Sequence, residues 1–391
     1  MGFGLLRKEL MVAVFAIAVV VLASLFAISA FFGDPDAKKG LCYVGVAFCG
    51  NTTREAEMLI DRMRNYTNLF ILQSGPVSRN ETATNEICDY AVNAGLSVVV
   101  YFGDLNPAVL TNETMWRVSW INTAKTRFGD KLLGVYYYDE PGGLFLDTNW
   151  SFVPVRVRAN LTYDLVAENF VRNIRLDPGV VALKTNSLPI FVSDYALYWF
   201  DYLAGYDVVL AQVGWNHSYA QDIALVRGAA KLQNKEWGVM ITWKYNEPPY
   251  LDSALNIYAQ MVEAYKAGAK YITVFNYPQR EGNDYGVLTD EHFSVLERFW
   301  LEVVNNPRVA FGSTEVEAVL VLPRNYGWGM RRPDDRIWGF WGPDEKTPQI
   351  WELSRKLLSK YGFHMDIVYE DAVFPFEGNY PKVYYWNSSI T

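Results

Sequence analysis

Two carboxylates stand side by side at Asp139 and Glu140, between the run Gly134-Val135-Tyr136-Tyr137-Tyr138 and the turn formers Pro141-Gly142-Gly143. A third acid, Glu247, follows a second apolar run in Lys244-Tyr245-Asn246-Glu247-Pro248. Paired carboxyls suit acid–base work. Hydrolysis of a glycosidic bond needs one to protonate the leaving oxygen and one to act as nucleophile or to activate water. The plainer reading of Asp139-Glu140-Pro141 is a cap for a following helix, and that of Glu247 is a solvated loop acid. What separates the readings is the scaffold that would carry these residues.

That scaffold is regular. Apolar runs read as strands at Tyr43–Phe48, Leu69–Leu72, Ser97–Phe102, Leu132–Tyr138, Pro189–Asp194, Asp207–Gln212, Gly238–Trp243 and Tyr271–Phe275. Helical patterns read at Glu55–Tyr66, Glu81–Ala94, Asn112–Phe128, Tyr163–Ile174, Ile223–Leu232, Ala254–Ala267 and His292–Val304, with an irregular stretch up to Ala159. Eight continuous apolar strands alternating with helices predict an all-parallel, closed (β/α)8 barrel, and roughly 265 residues is its usual size. In such a barrel the C-terminal strand ends carry the chemistry. That face collects Asp104, Asp139, Glu140, Asp194, Gln212, Trp215, Trp243, Lys244, Glu247, Asn276 and Tyr277. Glu140 and Glu247 are the candidate catalytic pair and the others candidate substrate contacts; Asp139, Asp194 or Asp104 are alternative partners for Glu140.

The expected organisation has three parts: 1–40 as a membrane anchor and linker, 41–306 as the barrel, and 307–391 as a small α/β domain. Leu10 to Phe32 has no charged residue and only Ser24 and Ser29 as polar ones. A helix of that length reaches roughly 34 Å, enough for a hydrocarbon core of about 30 Å. Arg7 and Lys8 precede it, which puts the bulk of the chain outside a single-pass anchor, or free if the segment is cleaved. Eight Asn-x-Ser/Thr sequons, at Asn51, Asn65, Asn80, Asn112, Asn149, Asn160, Asn216 and Asn387, agree with an exported glycoprotein. In an oxidising compartment one pair among Cys42, Cys49 and Cys88 is free to bridge. A net charge of −8 without a long basic run argues against nucleic acid as a partner. There is no metal-binding spacing, no phosphate-binding glycine loop and no Ser-His nucleophile elbow, so no cofactor is expected.

After Pro307 a strand at Ala318–Leu322, a helix at Ile350–Tyr361 and strands at Asp366–Tyr369 and Val383–Trp386 read as the opening of a Rossmann-like sheet. Between them lies Tyr326 to Pro348, dense in Trp, Gly and Asp. It has two readings: Trp328, Trp338 or Trp341 stack on sugar rings over the barrel mouth, or these aromatics join the small domain to the barrel.

The motif Asp139-Glu140-Pro141 after the fourth strand is similar to the Asn-Glu-Pro motif of the large clan of retaining glycoside hydrolases built on (β/α)8 barrels. The resemblance implies that Glu140 is the acid/base and that Glu247 is the nearest acid to the nucleophile's position after the seventh strand. The α/β module resembles that of the multi-domain β-galactosidase-like members. Two positions depart from the pattern: Asp139 stands where the clan has Asn, and Trp243 and Lys244 occupy the strand end itself. The implied function is a membrane-anchored extracellular glycoside hydrolase acting on a carbohydrate. The alternative is a non-catalytic glycan-binding or cell-envelope protein on the same scaffold.

Overall fold

The computed structural model describes residues 42–148, 160–278 and 282–388. The apolar segment Leu10–Phe32 and its linker lie outside the described residues, as does Asn149; among the described residues no helix is long and apolar enough to cross a membrane.

Eight strands close a barrel in sequence order: β1 (Tyr43–Phe48), β2 (Leu69–Leu72), β3 (Ser97–Phe102), β4 (Leu132–Tyr137), β5 (Ile190–Asp194), β6 (Val208–Val213), β7 (Glu236–Ile241) and β8 (Tyr271–Asn276). All neighbours are parallel, and β1 returns to β8 through Tyr43 opposite Tyr271. Burial on both faces explains why β2, β5 and β6 are buried along their whole length.

The helices are α1 (Thr53–Met63), α2 (Glu81–Asn93), α3 (Trp116–Phe128), α4 (Pro141–Thr148), α5 (Tyr163–Arg175), α6 (Pro178–Thr185), α7 (Tyr198–Ala204), α8 (Tyr219–Leu232), α9 (Ala254–Ala267), α10 (Asp290–Phe299) and α11 (Thr347–Tyr361). Three of these, α4, α6 and α7, are short helices that the sequence pattern does not predict. The seventh strand also starts and ends two residues earlier than expected, pairing Glu236 with Val208. Trp243 and Lys244 therefore stand past the strand, on the loop.

A second sheet holds β9 (Ala318–Leu322), β10 (Met365–Tyr369) and β11 (Lys382–Tyr385), all parallel in the order β10-β9-β11. It does not stand apart: Cys42–Thr391 is one compact unit. Helix α8 serves both sheets. Its Arg227 guanidinium reaches the fully buried Asp366 of β10 at 2.8 Å, and Tyr380 donates to the other carboxylate oxygen at 3.0 Å. At Gly228 a side-chain carbon would come within 2.9 Å of the Ile367 carbonyl, so only glycine lets the helix sit this close to the strand.

The Trp-rich loop 323–346 fills the seam between the sheets. Trp328 and Trp338 are buried, and Trp338 packs on Phe145, Phe170 and Phe200 at ring distances of 6.0, 5.8 and 4.6 Å. The indole N–H of Trp328 donates to the Asp335 carbonyl at 3.1 Å. Trp328 is thus part of the joint and not a surface for a sugar. The three cysteines are all free thiols. Cys42 and Cys88 are buried thiols, which burial pushes well above the usual thiol range, and Cys49 donates its S–H to the Gln73 carbonyl at 2.9 Å.

Candidate active site

The site begins with three consecutive tyrosines. Tyr136 turns its hydroxyl into the barrel, while Tyr137 and Tyr138 turn outward and donate to the two carboxylate oxygens of Asp177 at 2.7 and 2.9 Å. The chain then bends twice. Tyr138 and Glu140 have φ of 61° and 51°, the left-handed region that non-glycine residues enter at a cost of about 1 kcal/mol each. The bends release Asp139 and Glu140 from strand alternation and leave both half-buried at the C-terminal end of the barrel.

Strand β5 holds this bend in place. The Glu140 N–H donates to the Ser193 carbonyl at 3.1 Å, and the Glu140 carbonyl accepts from Leu144 at 2.9 Å as the first bond of α4. Pro141 opens the helix, where its missing N–H is not needed. Pro141-Gly142-Gly143, expected as a stop, is therefore a helix start. The glycines are required by what lies against them: side-chain carbons there would come within 3.1 Å of Asp194 Oδ2 and 2.1 Å of the Tyr195 ring. Asp194 accepts from the N–H groups of Gly142 (2.6 Å), Gly143 (2.9 Å), Tyr195 (2.7 Å) and Ala196 (3.3 Å). Fully buried, it caps α4 and cannot meet a substrate. Burial pushes its carboxyl up to about 8, against four donors that favour the ionised form.

One hydrogen-bond network joins the two carboxyls at the rim. Tyr136 donates to Asp139 Oδ1. Its oxygen meets Ser193 Oγ at 2.6 Å and accepts from Gln73 Nε2 at 3.1 Å. Gln212 Nε2 then donates to Ser193 Oγ at 2.9 Å and to Glu140 Oε1 at 2.7 Å. With the Tyr136 proton committed to Asp139, the Ser193 proton goes to Tyr136 and every donor has one direction. Because Gln212 donates to Oε1, Oε2 is left to carry and deliver a proton. Burial and the neighbouring Glu140 charge push Asp139 from 3.8 up to about 7, against the Tyr136 hydrogen bond. Burial also raises Glu140; Gln212 opposes the rise and Asp147 adds to it. Adjacent carboxyls of this kind titrate as a pair.

The other expected residues fall into distinct places. Asp104 lines a recess of about 470 Å³ with Tyr101, Arg79 and Arg117. That recess borders the site, since the Tyr101 ring lies 5.3 Å from that of Tyr136. Trp243 gathers Trp215, Tyr250 and Tyr277 around it at 5.8, 5.2 and 5.3 Å, an aromatic patch past the ends of β6, β7 and β8. Asn276 is buried, its amide oxygen accepting from Val287 N–H at 3.1 Å, so it ties down the loop after β8. Lys244 pairs with Asp252 at 2.7 Å in a second recess of about 210 Å³ that also includes His217. Glu247 is exposed on the loop before α9, and among the described residues its side chain makes no hydrogen bond.

Tyr136, Ser193 and Gln73 were not singled out from sequence. Each is a polar group at the inward end of an apolar strand, a signal present in Ile-Phe-Val-Ser193 and in Leu72-Gln73.

The pair Asp139–Glu140 has a direct electrostatic consequence. A carboxyl whose folded pKa lies above its unfolded value weakens the fold as pH rises between the two, and the cost is complete above the folded pKa. For Asp139 that window runs from about 4 to about 7. Asp139→Asn is expected to unfold later than wild type at pH 8, by up to about 4 kcal/mol, with the gap closing by pH 4. Urea unfolding at the two pH values measures it; an equal gap at both removes the buried-charge explanation.

The parallel eight-stranded barrel is a fold shared with solved glycosidase structures. Among solved structures the chain is similar to GH5_18 from Streptomyces cattleya, described in complex with GlcNAc, with a TM-score of 0.54, 13% identity and coverage of 88% of this chain and 98% of that one. It is also similar to α-L-fucosidase isoenzyme 2 from Paenibacillus thiaminolyticus, with a TM-score of 0.51, 10% identity and coverage of 88% of this chain but 59% of that one. At these identities the likeness concerns the fold. No protein-family model matches the sequence, and no curated protein matches it.

Proposed function

We propose that the protein is a glycoside hydrolase in which Glu140 protonates the departing oxygen. The observation that carries this reading is the state of that one side chain. It is half-buried at the barrel's rim, raised in pKa, held at Oε1 by Gln212, and adjacent to a second carboxyl in the same network. A raised, oriented carboxyl is what a general acid near neutral pH requires. A carbohydrate is the partner, with the Trp243–Tyr277 patch and the Asp104 recess as flanking surfaces for its further rings. Of the two acids read from sequence, only Glu140 is built into a network. Asp139 is better placed than the exposed Glu247 to assist it. The test is hydrolysis of a panel of aryl glycosides by wild type and by Glu140→Gln, in which the variant is expected to lose turnover while staying folded.

The same reading places the barrel outside the cell on an N-terminal anchor. Two observations support it: the uncharged Leu10–Phe32 segment, and the exposure of all seven sequon asparagines that fall among the described residues, Asn51, Asn65, Asn80, Asn112, Asn160, Asn216 and Asn387. Protein isolated from its own membranes is expected to exceed 44.6 kDa by the mass of attached glycans and to stay with the membrane in high salt. An unmodified chain recovered in the soluble fraction would remove this placement.

A further inference from the structure

A carboxyl pair divided between two barrel strands faces a sugar from both sides. The pair here is different: Asp139 and Glu140 are consecutive, with α-carbons about 3.8 Å apart, and they approach a ligand from one strand end. Among the described residues no third carboxyl joins their network. Asp194 is enclosed by four backbone N–H groups. Asp147 is bound by the Arg331 guanidinium at 2.8 and 3.0 Å and by the Tyr195 hydroxyl at 2.8 Å. Asp104 accepts from the Asn106 N–H at 2.6 Å, and Glu247 is exposed on its loop.

With Glu140 as proton donor, no described carboxyl from another strand is hydrogen-bonded into its network, and Glu247, past β7, is exposed on its loop. Nor does Asp139 suit a water-activating base, because it leaves the same strand end as Glu140 and that role needs a carboxyl on the opposite face of the ring. What Asp139 does offer is a hydrogen-bond acceptor beside the acid. Oδ1 is fixed by Tyr136, and Oδ2 has no partner among the described residues. An acceptor so placed fits an N–H on the carbon next to the anomeric centre.

We propose that the substrate brings its own nucleophile: the site cleaves glycosides of 2-acetamido-2-deoxy sugars, with Asp139 holding the acetamido N–H and the acetamido carbonyl oxygen attacking C1. This rests on the glycoside hydrolase reading above and narrows its substrate class. In the first step the carbonyl oxygen forms a bond to C1, the bond from C1 to the leaving oxygen breaks, and the Glu140 proton goes to that oxygen. The amide nitrogen takes on positive charge, which the Asp139 carboxylate balances through the N–H. In the second step water bonds to C1, its proton returns to Glu140, and the bond between C1 and the carbonyl oxygen breaks. The acetamido group and both carboxyls are restored, and one water is consumed. Tyr136 is a positioning residue for Asp139, and Gln212 for Glu140.

The test uses the full chain with 4-nitrophenyl β-glycosides of N-acetylglucosamine and N-acetylgalactosamine, their N-trifluoroacetyl analogues, and the corresponding glucoside and galactoside. Hydrolysis is expected only where C2 carries the amide. The trifluoroacetyl group, a poorer nucleophile, should slow it by about tenfold or more, and Asp139→Asn should lower kcat by about 10²-fold while remaining folded. Glucoside cleaved as fast as the acetamido sugar, or rates indifferent to fluorination or to Asp139→Asn, would overturn the inference and leave the glycosidase reading standing. No cleavage of any of these glycosides or of a broader aryl-glycoside panel would overturn both.

Discussion

Glu140→Gln is expected to lower glycoside hydrolysis by about 10³-fold or more while the protein keeps its thermal midpoint within a few degrees. The substitution removes one proton and little else. The amide that replaces the carboxyl can still present its oxygen to Gln212 Nε2, and the backbone bonds from Glu140 N–H to Ser193 and from Leu144 to the Glu140 carbonyl do not involve the side chain. The loss should depend on the leaving group. A 4-nitrophenolate departs with little help, so its glycosides should suffer least, whereas an alkyl or sugar leaving group needs the proton and should lose most. Restoring turnover with azide would not repair the acid step for a poor leaving group. A variant as active as wild type on both kinds of substrate would take Glu140 out of the chemistry.

Much of this arrangement was readable in the residues themselves. The eight apolar runs fixed the barrel because parallel strands buried on both faces need no alternation, and a strand end before two acids located the rim. What one run cannot show is its partner. Pro141-Gly142-Gly143 reads as a stop, yet it starts a helix because Asp194, more than fifty residues further on, supplies the cap. The reading of Asp139-Glu140-Pro141 as a helix cap was therefore partly right: the Glu140 carbonyl begins α4 while its side chain faces the network. Asp194 was visible as an acid at a strand end, but which way it points was decided by glycines on another segment.

The same limit explains the Trp-rich loop and the seventh strand. The loop's aromatic density was plain, but a buried indole and a sugar-stacking indole have the same sequence. Only the packing of Trp338 on Phe145, Phe170 and Phe200 separates them. Strand β7 begins at Glu236, a charged residue that an apolar pattern excludes, because its side chain accepts from the Tyr271 hydroxyl at 2.8 Å on the neighbouring strand. That shift moves Trp243 and Lys244 from the strand to the loop. The second sheet also acquires a purpose that its sequence did not suggest. Arg331 on its connecting loop pairs with Asp147 on α4, so the small module braces the helix that begins at the acid.

That brace and the Asp194 cap make the acid's position a matter of stability as well as chemistry, and Asp194→Ala is expected to cost about 3–5 kcal/mol. Four N–H groups would lose their acceptor in a place with no solvent access, and each orphaned buried donor costs roughly 1–3 kcal/mol, less whatever relaxation recovers. The glycines that admit the carboxyl would then flank a cavity. Because α4 starts at Glu140, the damage should extend to catalysis: kcat falls even at temperatures where the protein stays folded, since the acid's backbone no longer has a fixed anchor. Asp194→Asn keeps one acceptor oxygen of similar shape and should recover part of both losses, which separates capping from any direct chemical role. Urea unfolding and turnover measured on the two variants test this together. An Asp194→Ala protein as stable as wild type would mean that the helix start is held by something other than this carboxylate. Full loss of activity with unchanged stability in Asp194→Asn would instead return Asp194 to the reacting groups.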